Sequence, residues 1–87
     1  MVDVSEAVDA SDAPPGQTRE TLDVRELPPP QPLQRTLERC AELDEDAALV
    51  QLNDRAPQHL YPRLSDRGFE YDTVEAADAV VTVIWRG

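Results

Sequence analysis

The run "VVTVIWR", Val80 to Arg86, follows "FEYDTVE", Phe69 to Glu75, after only "AADA". This pair constrains the fold more than any other feature. Both stretches are rich in β-branched and aromatic residues and read as strands. Four residues are too few for a crossover, so the two strands must form an antiparallel hairpin. Upstream, "TLDVR" (Thr21 to Arg25) places Leu22 and Val24 on one face of a strand, and "ALVQL" (Ala48 to Leu52) does the same with Ala48, Val50 and Leu52. Between these two, Leu33, Leu37, Cys40 and Leu43 recur at helical spacing, with Gln34, Arg35, Glu38, Arg39 and Glu42 turned to solvent. A second helix takes its apolar stripe from Leu60, Tyr61 and Leu64, with Asn53 or Asp54 offering a cap and Pro57 near its first turn. Pro62 predicts either a kink or a helix that begins only near Tyr61, and Gly68 closes it.

The order strand, helix, strand, helix, strand, strand predicts an α+β fold, βαβαββ. It is a two-layer α/β sandwich with two helices on one face of a four-stranded mixed sheet. The helix crossovers require parallel neighbours or a gap filled by a later strand. The last strand is apolar on both faces, with Val81, Val83 and Trp85 on one and Val80, Thr82 and Ile84 on the other. Helices on one side leave Val81, Val83 and Trp85 as a candidate interface for a partner or a homodimer. Coverage by the tail or the last loop is the alternative.

With 87 residues the chain has room for one small domain. Residues 1–19 mix acidic residues, Ala, Ser and Pro-Pro-Gly, and are expected to be a disordered acidic tail before a domain at 20–87. The formal charge of −10, without a basic cluster, argues against nucleic acid and anionic membrane as partners. All eight basic residues are Arg, a composition expected of a haloarchaeal protein kept soluble in concentrated salt. One cysteine permits no disulfide framework and no multi-cysteine metal site. With no secretory leader and no membrane-length apolar run, a cytoplasmic address is expected. No cofactor is expected.

The segment "LDVRELPPPQPLQRTLERC", Leu22 to Cys40, sets four prolines at the start of the first helix. Together with "NDRAPQHLYPRL" downstream, it resembles the small sulfur-carrier family typified by TusA and SirA. It is closer still to an uncharacterised offshoot of that superfamily, domain of unknown function 2249. The similarity covers roughly Leu22 to Trp85. Pro30, Gln31 and Pro32 match the Pro-x-Pro of the carriers' Cys-Pro-x-Pro motif, and Pro29 falls where the reactive cysteine stands. The resemblance implies a thiolate near a helix N-terminus, where the partial positive charge makes it nucleophilic. Proline offers neither sulfur nor an ionisable proton. Pro28, Pro29, Pro30 and Pro32 also remove four backbone donors from the place where an anion would be cradled, leaving Gln31 and Leu33 with theirs.

Cys40, the sole thiol, lies on the apolar helix face and reads as a core residue, with a relocated sulfur acceptor as the alternative. His59, the only histidine, reads as a surface residue, with a haem or metal ligand as the alternative. Arg25, Asp54, Arg55 and His59 follow strands one and two and form the candidate surface for an anion or an acidic partner. No catalytic residue and no metal ligand set is assigned, and no Gly-rich phosphate loop or Ser-His-Asp order occurs. The expected function is that of a non-catalytic TusA-like interaction module. The resemblance places its protein partner in sulfur, redox or nitrogen-oxide metabolism. The rivals are a sulfurtransferase using Cys40 or a partner thiol, and a haem or metal sensor acting through His59.

Overall fold

The computed structural model describes residues 4–11, 13–14 and 16–87. Helix α1 spans Val4–Ala10, strand β1 Thr18–Asp23, helix α2 Gln31–Ala41 and strand β2 Ala47–Asn53. Helix α3 spans Tyr61–Asp66, strand β3 Phe69–Glu75 and strand β4 Val80–Arg86. The four strands form one sheet in the order β1-β2-β4-β3. β1 runs parallel to β2 in the register Thr18–Ala47 to Asp23–Leu52. β4 is antiparallel to both β2 and β3. The hairpin strand therefore inserts between β2 and β3, and this is the gap that the second crossover leaves open. The expected α+β architecture is the one observed.

Side-chain alternation divides the core between the two faces of the sheet. Ala47, Leu49 and Ile84 pack with Cys40, Leu43, Leu60, Leu64 and Phe69 beneath α2 and α3. On the reverse face Val50, Leu52, Val81, Val83 and Trp85 pack with Ala7 and Val8 of α1. Both central strands are covered on both sides, and every residue of β2 is buried.

Helix α1 corrects the expectation for the N-terminal stretch. Residues 1–3, 12 and 15 lie outside the described residues, but Val4–Ala10 is helical and seats Ala7 and Val8 on the sheet. Seven residues do not hold a helix alone, so tertiary docking supplies what propensity lacks. β1 begins at Thr18 and so crosses the expected boundary at residue 19. Val81, Val83 and Trp85 lie beneath this cover at 0%, 0% and 8% exposure, so in this structure they are not an open interface.

α3 begins at Tyr61 with Pro62 in its first turn, where a missing N–H costs nothing. Pro57 sits in a separate turn before it, where the Leu60 N–H donates to the Pro57 carbonyl at 2.9 Å. Gly68 follows the helix at φ 80°, the left-handed conformation that ends a helix most cheaply as glycine. Among the described residues, no helix is long and apolar enough to cross a membrane.

Candidate functional site

Parallel strands β1 and β2 both end at the edge of the sheet where α2 begins, and the chain leaves β2 there through the loop before α3. Between these two connections opens a cleft of about 630 Å³, a volume typical of ligand-sized sites. One wall is Leu27, Pro29, Pro30 and Pro32, and the other is formed by Arg55 to Leu60. Gln51 and Asn53 of β2 also line it and are 1% and 6% exposed, forming its floor.

The proline wall is rigid for local reasons. Pro30 is the N-cap of α2 and Pro32 lies in the first turn, where fixed φ suits the helix. The Pro29–Pro30 peptide is cis. Of the two donors retained near the helix start, the Gln31 N–H is spent on the Pro28 carbonyl at 3.0 Å. Leu33 keeps the other. A helix start normally offers several N–H groups to an anion, and here that capacity is largely removed.

The floor is tied to this wall by a buried chain of hydrogen bonds. Thr36, fully buried in α2, donates its hydroxyl to the Pro32 carbonyl at 2.7 Å and accepts from Gln51 Nε2 at 2.8 Å. Asn53 Nδ2 donates to Gln51 Oε1 at 3.4 Å, and the Asp54 N–H donates to Asn53 Oδ1 at 2.8 Å. A second chain joins Tyr61, Thr73 and Thr82 through hydroxyl contacts of 2.6 and 3.1 Å. Tyr61 also stacks on Tyr71, with ring centroids 4.5 Å apart. Each such bond satisfies a group that would otherwise be desolvated, so the network fixes the geometry of the floor.

Of the residues expected from sequence, Pro29, Pro30, Pro32, Asp54, Arg55 and His59 line this one cleft. Gln31 and Arg25 do not. Arg25 makes a bidentate pair with Asp23, with contacts of 2.8 and 3.0 Å, and approaches Asp78 of the hairpin turn at 3.7 Å. Bonds from the Arg25 side chain and backbone hold the Asp23 carboxyl below the usual carboxylate range. Arg55 pairs with its neighbour Asp54 at 3.2 Å, so the rim charges offset one another. Gln51 and Asn53, which floor the cleft, and Thr36, which braces them, are the cleft residues that the sequence did not single out. The signal was present as two polar residues sharing the period-2 face of Leu49.

Cys40 sits ten residues into α2 from its N-cap, about 15 Å along the helix axis from the cleft. It is fully buried. Burial pushes its thiol up to about 11, against smaller opposing effects of Arg86 and Arg67. That end of the molecule is closed by Arg86, whose Nε donates to the Leu43 carbonyl at 3.0 Å and whose guanidinium lies 4.9 Å from the centre of the Phe69 ring. Among the described residues, no three His, Cys, Asp or Glu side chains group as a metal site.

Residues 21–86 match the model of a family described as an uncharacterized conserved protein, DUF2249. The chain belongs to that family. The DUF2249 match takes in all of α2, β2, α3, β3 and β4, the second half of β1, and the whole cleft, while α1 lies before it. No curated protein and no solved structure matches the chain.

Proposed function

We propose that this DUF2249 protein is a non-catalytic binding module that takes a segment of a protein partner into the cleft between the prolines of α2 and the loop before α3. The observation that carries the reading is the separation of thiol from cleft. The concave surface is walled by prolines, and the only sulfur that could accept cargo is sealed about 15 Å away. The proposal includes a TusA-like ancestry in which Pro29 replaces the carrier cysteine, a halophilic cytoplasmic host, and a partner in sulfur, redox or nitrogen-oxide metabolism. These parts rest on the motif resemblance and the acidic, lysine-free composition.

A photo-crosslinking residue placed at Gln58, on the cleft wall, tests it against one at Asp44 near the opposite end. A discrete adduct from position 58 alone, lost when Ala56→Trp fills the cleft, is expected. Equal adducts from both positions contradict it.

A second reading is favoured by one observation: His59, the only imidazole, stands exposed on the wall of a cleft with apolar sides. Such a site suits a flat apolar cofactor such as haem, ligated at one position. Absorbance titration with haem of the natural chain and of His59→Ala separates the readings. Different curves support ligation, and identical curves end it.

A further inference from the structure

The cleft between the prolines of α2 and the loop before α3 is electrically balanced in a strongly acidic chain. Among the described residues that line it, with His59 neutral, Asp54 and Arg55 carry charge, and they pair with each other at 3.2 Å. Leu27, Leu33 and Leu60 add apolar surface to the prolines. A carboxylate entering here meets a cation already offset by Asp54. It also meets a helix start where Pro28, Pro29, Pro30 and Pro32 have no N–H to give. An ammonium meets an acid already offset by Arg55. Either ion loses its water without a matching partner, a cost that an uncharged group is spared.

The floor is polar in a different way. A side-chain carboxamide has two donor hydrogens and two acceptor positions. Gln51 Nε2 spends one hydrogen on Thr36 Oγ1 at 2.8 Å, and Asn53 Nδ2 spends one on Gln51 Oε1 at 3.4 Å. Asn53 Oδ1 takes the Asp54 N–H at 2.8 Å. Beyond these bonds each side chain keeps one donor hydrogen and one acceptor position, and both side chains line the cleft. A carboxylate only accepts and an ammonium only donates, whereas an amide does both and so answers both halves of this floor.

We infer that the cleft selects an uncharged segment of the partner protein, one that sets an amide group on Gln51 and Asn53 and an apolar side chain against the proline wall. Gln51 and Asn53 are then the residues that determine specificity. This rests on the cleft being the binding surface and adds what it takes. Because Thr36 bonds both Gln51 and the Pro32 carbonyl, floor and wall form one fixed unit. A wrong end group leaves buried polar atoms unpaired, and that is the basis of the rejection.

Three probes with one aromatic body and different ends test the inference: phenylacetamide, phenylacetate and phenethylammonium. Each is titrated into the natural chain in concentrated salt, so that the net charge of −10 neither repels one ion nor draws the other. The NMR signals followed are the side-chain amides of Gln51 and Asn53 and the methyls of Leu33 and Leu60. Phenylacetamide should shift all four residues and bind about tenfold or more tightly than either ion. In Gln51→Leu that preference should be largely lost while the methyl shifts persist. Equal affinity for phenylacetamide and either ion overturns the inference, as do unmoved Gln51 and Asn53 signals or an undiminished preference in folded Gln51→Leu. If that variant does not fold, the ranking of the three probes on the natural chain decides alone. The adduct from position 58 judges the cleft separately, so an adduct there with no amide preference retains the cleft and rejects the specificity.

Discussion

Alkylation of Cys40 separates a buried structural thiol from a sulfur acceptor, because its rate follows from burial and from the shifted thiol. The thiolate is the reactive species. With the folded thiol at about 11 against an ordinary 9.0, the thiolate fraction at about pH 8 falls roughly a hundredfold, because each unit is tenfold. Steric closure acts in addition, since the side chain is 0% exposed between α2 and the sheet. A reagent must await opening of that packing, and a domain with the usual stability of about 5 kcal/mol or more opens in roughly one molecule in 10⁴. The expected ratio of denatured to native alkylation rates is therefore about 10⁴, read by intact mass over time with iodoacetamide. Concentrated salt keeps the acidic native chain folded. A ratio of about ten or less would refute both the burial and the shifted thiol. It would also reopen Cys40 as a carrier residue.

The same thiol sets an alkaline limit on stability. Its folded value is raised, so its stabilisation is complete below the unfolded value of 9.0 and is lost as pH climbs toward 11. The loss amounts to about 3 kcal/mol. Denaturant titrations across this window should show that fall in the natural chain and not in Cys40→Ala, a comparison helped by the absence of lysine. In the cleft floor, Thr36→Val leaves Gln51 Nε2 buried without its acceptor and should cost about 1–3 kcal/mol. Adding Gln51→Leu removes the stranded group, so a double-mutant cycle should show the pair costing less than the sum, and strict additivity would contradict the network. NMR titration should place the Asp23 carboxyl below the usual range and return it upward in Arg25→Gln. Because Asp23 is lowered on folding, its small contribution to stability is present above the ordinary carboxylate value and fades as pH falls through the folded one.

Much of this architecture was legible because local and tertiary signals agree. β3 and β4 occupy the residues expected of them, since a β-branched run next to a four-residue connection has one good solution. The start of α3 at Tyr61 follows from Pro62, whose ring and missing donor suit only a first turn. α1 was not legible. Ala7 and Val8 within an acidic stretch acquire a reason to be helical only when the sheet presents its second face, a tertiary effect that overrides weak propensity. The floor of the cleft was missed for a related reason. Asn53 reads as a helix cap and Gln51 has no assigned role until β2 proves to be central and Thr36 comes across from α2 to satisfy Gln51. Gathering the prolines with Arg55 and His59 at one end followed from topology, whereas Arg25, one turn of chain away from the cleft, was captured by Asp23 and Asp78.

The proposed role is binding at the proline-walled cleft without sulfur carriage. Incubation with a cysteine desulfurase and cysteine, followed by intact-mass measurement of the native chain, tests it most directly. An unchanged mass is expected. Addition of a single sulfur atom, mapped to Cys40, would contradict it.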